Sequence, residues 1–221
     1  LYNSTTLDGH YLFYTTDHSG NYDIWFRDLR SAIIVPVTTH PVPEYKPAIS
    51  PDGKKLLFVS EENDSSGDIV LIQINPSKSM DRYLAGEKDL IEEKIFLTNQ
   101  NFQDPKKKDT FVDTDPTWAP NGKQIVFSSD RFSPGLQNLV LLDLINQNKM
   151  TQLTTKGAAS PQFSFDGKSI VYISFQDSKQ GEIYKFNFDS GQEERLTSDN
   201  FINFSPSLSP DGNFLYFTSI R

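Results

Sequence analysis

The sequence predicts an all-β fold assembled from repeated four-stranded units, and three observations carry that prediction. A Ser-Pro-Asp-Gly-type turn recurs along the 221-residue chain, a pair of apolar strands follows each of the first four turns, and those strands are apolar on both faces. The turn glycines are Gly9, Gly53, Gly122, Gly167 and Gly212, so successive copies lie 44, 69, 45 and 45 residues apart. A fixed period of this length marks an array of like supersecondary units.

Each unit opens with a short strand A that contains or precedes a proline (Pro47, Pro116, Pro161, Pro206), with residues 2–6 as its counterpart in the first unit. The turn follows: Ser50-Pro51-Asp52-Gly53-Lys54 and Ser209-Pro210-Asp211-Gly212-Asn213 are the fullest copies, and Asp8-Gly9-His10 is the weakest. Asp-Gly and Asn-Gly suit a tight hairpin because glycine accepts positive φ and the Asx side chain bonds its own backbone. Strand B comes next, as in Leu56-Leu57-Phe58 or Ile125-Val126-Phe127. A polar loop with Gly20, Gly67, Gly135 or Gly181 leads to strand C, as in Ile24-Trp25-Phe26 or Ile183-Tyr184-Lys185-Phe186. Strand D ends in Val37-Thr38, Leu97-Thr98, Leu153-Thr154 or Leu196-Thr197. An acid or amide opens every C strand (Asp23, Asp68, Asn138, Glu182), and such repetition points to scaffolding, with a side chain that bonds nearby loop backbone.

Strands B and C do not alternate between apolar and polar residues, so neither face of their sheets is meant for water. No amphipathic helix is evident to cover them. Small sheets that must shield one another radially give a β-propeller of about five four-stranded blades, the last incomplete in this chain. The prediction is one propeller domain over residues 1–221, with blades at about 1–39, 40–98, 115–154, 155–197 and 198–221. Insertions fall at about 76–93, where residues 80–93 suit a helical turn or two or an irregular loop, and at 99–114, which carries Lys106-Lys107-Lys108. The chain starts at Leu1 rather than Met, and its last blade shows only strands A and B. Both features are expected of a fragment of a longer propeller, or of an assembly that supplies the two strands, with self-association through the open edge as one outcome.

The Ser-Pro-Asp-Gly-Lys run, the Leu-Leu-Phe-Val-Ser strand after it and the Leu-Thr closing strand resemble the repeat of TolB-like propellers, which are related to the propeller domains of prolyl oligopeptidases and tricorn protease. That resemblance implies a non-catalytic scaffold that binds a protein or peptide partner, in a periplasmic or other extracytoplasmic setting of the bacterial cell envelope. Two alternatives stay open: the gating propeller of a prolyl-oligopeptidase-like peptidase whose catalytic domain lies outside this chain, and a glycan-active propeller using acids in its channel.

Composition narrows the chemistry. The chain has 21 basic and 29 acidic residues, a formal charge of −8, which speaks against nucleic acid as a partner because that demands a basic footprint. No apolar run approaches the ~18 residues of a membrane span. Without cysteine there is no disulfide, thiolate metal site or thiol nucleophile. No Gly-x-Ser-x-Gly elbow, phosphate loop or His-Glu-x-x-His motif occurs. The histidines, His10, His18 and His40, all precede residue 41 and fall on two faces, a poor arrangement for a shared metal. No cofactor is expected; Ca²⁺ would suit the channel acids, but no Asp-x-Asp-x-Asp-Gly loop supports it.

The loops sort into two faces. The face bearing the D-to-A loops and the channel mouth is the predicted partner surface, with Glu44, Tyr45, Lys46, Phe111, Asp113, Asp115, Gln162, Asn203 and Phe204 as its residues. Their mix of aromatic and charged groups suits anchors inside a polar rim.

Overall fold

A computed structural model describes residues 3–98, 110–177, 179–199 and 201–220. The chain forms antiparallel meanders divided between two compact units, Leu1–Pro116 and Thr117–Arg221. The Lys106-Lys107-Lys108 run of the second insertion lies outside the described residues.

The first unit holds two four-stranded sheets. One comprises β1 (Asn3–Thr5), β2 (Tyr11–Thr16), β3 (Asp23–Asp28) and β4 (Ile34–Pro36); the other comprises β5 (Glu44–Ile49), β6 (Lys55–Ser60), β7 (Asp68–Gln73) and β8 (Ile95–Phe96). Phe13, Ile24 and Phe26 of one sheet share a buried cluster with Ile49, Leu56, Phe58, Val70 and Ile72 of the other, so the two sheets cover each other.

Helix α1 (Pro76–Leu84) follows β7; it starts ahead of residues 80–93, from which the sequence suggested a helical turn or two, and overlaps them over residues 80–84. Its start is set by Asn75, whose side chain accepts the Lys78 N–H, and by Pro76 in the first turn, where a missing N–H costs nothing. Among the residues after the helix, Leu90 enters the common core.

Strand β9 (Asp113–Trp118) crosses the unit boundary and pairs with β10 (Gln124–Ser129), then β11 (Asn138–Asp143) and β12 (Lys149–Gln152). The second unit adds β13 (Ala158–Phe163), β14 (Ser169–Ser174), β15 (Glu182–Asn187) and β16 (Glu193–Arg195), and the two-stranded sheet β17 (Ile202–Leu208) and β18 (Leu215–Ile220). Its cores again lie between sheets: Val126 and Leu139 pack with Ile170, Tyr172 and Tyr184, and Val171, Ile173 and Ile183 pack with Leu208 and Leu215. All of β14, and all of β6 and β10 after their first residue, are buried, as two-sided apolar patterning requires.

Three local devices repeat. In the Asp-Gly turn, Ser50 Oγ donates to Asp52 Oδ1 at 2.6 Å and accepts the Lys55 N–H at 2.9 Å, while Asp52 Oδ1 accepts the Lys54 N–H at 3.1 Å. Ser164 with Asp166, Ser209 with Asp211, and Thr6 with Asp8 do the same. At the start of each C strand, the closing threonine of the D strand accepts the backbone N–H of Ile24, Ile69, Leu139 or Ile183 at 2.9 Å. Its hydroxyl also bonds the preceding Asp23, Asp68, Asn138 or Glu182, so those repeated polar residues are structural.

The third device lies in strand A. Lys46, Asp115, Ser160 and Ser205, each directly before a proline, have φ between 53° and 57°. A following proline disfavours the right-handed helical region, and the left-handed one is uncommon for residues bearing a Cβ. Register shifts accompany these residues in β5, β13 and β17, so the strand bulges and re-aims one side chain.

Candidate functional site

In the first unit, the proline-linked bulge of β5 lifts Lys46 out of the pleat. Its N–H donates to Thr15 Oγ1 at 3.1 Å. Its ammonium group reaches Thr114 Oγ1 and Asp115 Oδ1, each at 2.7 Å. Lys46 and Asp115 are 15 % and 13 % exposed, so the pair is shielded on most sides yet retains a face to solvent.

Two residues away, Glu44 opens β5 with its side chain fully buried. Its N–H donates to the Tyr22 carbonyl at 2.7 Å, and its Oε1 accepts from Ser60 Oγ at 3.2 Å and Lys94 Nζ at 2.8 Å. Lys94 also bonds Glu62 Oε2 at 2.8 Å, and Glu62 Oε1 lies 3.9 Å from His40 Nε2. The hydrogen bond from Lys94 holds the Glu62 carboxyl below its usual range. Burial pulls the Lys94 amine down, but its bonds to Glu44 and Glu62 outweigh that and raise it. Both groups are therefore charged at neutral pH. A cleft of about 400 Å³ opens here, bounded by His40, Pro41, Glu44 and the insertion residues 88–94.

Tyr45 donates from its hydroxyl to Glu61 Oε1 at 3.2 Å. Gly67 lies beneath: at φ +84°, a Cβ there would meet Val59 Cγ1 at 2.8 Å and Tyr45 OH at 3.4 Å. The Gly67 carbonyl accepts the N–H of buried Asp113 at 3.3 Å. Phe111 is half-buried just before β9.

The first unit thus gathers five of the predicted residues around β5 and the start of β9. Lys46, Tyr45 and Asp115 reach solvent, whereas Glu44 and Asp113 are buried. In the second unit, Gln162 and Phe204 are exposed, and buried Asn203 donates to Asp199 Oδ1 at 3.0 Å. Sequence reasoning did not find Lys94, Glu62 or Thr114. Thr114 stands between two predicted acids, but the approach of Lys94 to Glu44 depends on the path of the insertion, which no local pattern announces.

The histidines serve separate neighbours: His10 Nε2 lies 3.0 Å from Asp28 Oδ1, and His18 meets the Trp25 ring edge-on. Among the described residues, no group of three His, Asp or Glu side chains is placed to hold a metal ion. Among them, too, no helix is long and apolar enough to cross a membrane. The chemistry on offer at β5 is charge pairing and hydrogen bonding at a rigid strand edge.

Comparison with known proteins places this geometry among relatives. The model of the TolB beta propeller domain family matches residues 88–221. The Tol-Pal system protein TolB of Francisella tularensis is 39 % identical over 79 residues, 35 % of this chain and 18 % of that protein. An uncharacterised protein of Agrobacterium fabrum is 34 % identical over 123 residues, 53 % of this chain and 41 % of that one. The crystal structure of TolB from Acinetobacter baumannii superposes with a TM-score of 0.74 at 24 % identity, over 97 % of this chain and 47 % of that chain; this likeness speaks to fold alone. The chain spans less than half the length of each of these three.

Proposed function

The chain belongs to the TolB β-propeller domain family, and from that premise we propose that it is a non-catalytic propeller module that binds a protein partner in the bacterial cell envelope, in a periplasmic setting. The observation that carries this reading is the Lys46–Asp115 pair, set by two strained backbone positions at 2.7 Å and still open to solvent. A fixed donor and acceptor on a stiff strand edge, with Tyr45 next to Lys46 in the chain, make a small recognition surface: the aromatic group supplies area and the charges supply register. Gln162 and Phe204 are each exposed in the second unit. The Tol-Pal assignment in the name of the Francisella relative supports the envelope setting and a protein as partner.

The test is capture of envelope proteins on the immobilised chain, with the same washes for Lys46→Glu, Asp115→Lys and an exposed control, Asp189→Lys. The expected result is one partner retained by the parent and the control and lost from both pair variants. Equal capture by all four proteins, or turnover of peptides or oligosaccharides by the parent, would overturn the reading.

A further inference from the structure

We infer that the cleft beside Glu44 seats a single basic group, the guanidinium or ammonium of a partner's arginine or lysine side chain. This rests on and deepens the protein-binding reading above. Glu44 is a fully buried carboxylate whose two oxygens are served unequally. Oε1 takes both Ser60 and Lys94, whereas Oε2 has no hydrogen-bond partner among the described residues. A buried carboxylate oxygen without a donor is costly, and a charged donor is its strongest complement.

The surroundings favour a cation over an anion. Glu44, Asp89, Glu92 and Glu93 line the cleft against two lysines, Lys88 and Lys94, and Lys94 is already held by Glu44 and Glu62, so carboxylate is in excess. An incoming anion would meet excess carboxylate, while a cation would meet the exposed acids Asp89, Glu92 and Glu93, with the buried Glu44 carboxylate also in the lining. Size agrees, since about 400 Å³ lies at the small end of ligand cavities, roughly 300–1,000 Å³. That suits one long side chain better than a chain of sugars. Val37, Pro41 and Ile91 offer apolar wall for its methylenes.

The test is an amide-resolved NMR titration of the whole chain at low salt with acetyl-Gly-Arg-Gly-amide, its lysine counterpart, and its citrulline counterpart, which keeps the shape without the charge. The arginine and lysine probes should shift the amides of Thr39, His40 and Lys94 saturably, and citrulline should bind at least about tenfold more weakly. Glu44→Gln should weaken arginine binding by about tenfold. Because that buried change can disturb the fold, the exposed pair Asp89→Asn with Glu93→Gln provides a second readout, with a loss of about threefold. Equal binding of arginine and citrulline, or no saturation by about 10 mM, would overturn the inference. Its failure is distinct from that of the wider reading. Loss of partner capture on changing Lys46 or Asp115, with a silent tripeptide, sinks only the cleft. A tripeptide that binds while all variants capture alike sinks only the Lys46–Asp115 surface.

Discussion

Thr197 latches Glu182: its hydroxyl donates to Glu182 Oε2 at 2.6 Å and accepts the Ile183 N–H at 2.9 Å. The closing residue of one strand thereby fixes the opening residue of another. The same latch joins Thr38 to Asp23, Thr98 to Asp68 and Thr154 to Asn138.

Thr154→Val keeps the shape of a buried side chain and removes its hydroxyl. The Leu139 N–H loses its acceptor, so unfolding free energy in urea should fall by about 1–3 kcal/mol. Thr154→Ser should recover most of the loss. A valine variant as stable as the parent would show that the latch is idle.

The Asp-Gly turns make an opposed pair of predictions. Ser50→Ala strips the hydroxyl that serves both Asp52 and the Lys55 N–H, and should cost about 1–2 kcal/mol. The third copy carries Ala119 where its counterparts carry Ser or Thr. Ala119→Ser gives Asn121 and the Gln124 N–H the partner that the other copies have, and should raise stability by about 0.5–1 kcal/mol. Thermal melts of the two variants read the contrast directly.

These turns also set an acid limit. The hydroxyls of Ser50, Ser164 and Ser209 foremost hold Asp52, Asp166 and Asp211 below the ordinary carboxyl value of 3.8. The folded state therefore binds these protons more weakly than the unfolded chain does. The stability they contribute is complete above that value and lost as pH falls through the lowered ones. Stability measured from about pH 5 to about pH 2 should fall less steeply in the triple Ser→Ala variant than in the parent. Parallel curves would refute this.

Gly67 and Gly20 share positive φ but differ in what surrounds them. Gly20→Ala meets open space and should cost about 1 kcal/mol of backbone strain. At Gly67→Ala, the methyl would press on Val59 under the Tyr45 hydroxyl, and the cost should reach about 2–4 kcal/mol. Partner capture should weaken in the second variant alone, because Tyr45 and the strand leading to Asp115 shift with it.

Most of the fold was legible because it is local and repeated. The Asp-Gly turns, the two-sided apolar runs such as Leu56 to Val59 and the Leu-Thr endings each recur, and each recurrence checks the others. The helix was half legible: the Asn75-Pro76 start is a recognisable cap, but the insertion around Met80 drew the prediction onto later residues. At the site, the sequence put Lys46 and Asp115 at matching places in the A strands of successive repeats. It did not show that Glu44 and Asp113 are buried, because their bonds there run to Tyr22, Ser60 and Gly67 from other parts of the chain. Lys94 was hidden for the same reason, since its partner lies 50 residues away along the chain.

The left-handed residue before each inner-strand proline bears on how such a molecule diversifies. In three of the strands it coincides with a slip in the ladder, and the four positions hold Lys, Asp, Ser and Ser. Charge and size at one site per repeat can therefore drift across generations while the surrounding hydrogen bonds are inherited unchanged. A lineage built this way can acquire new preferences without relearning how to fold.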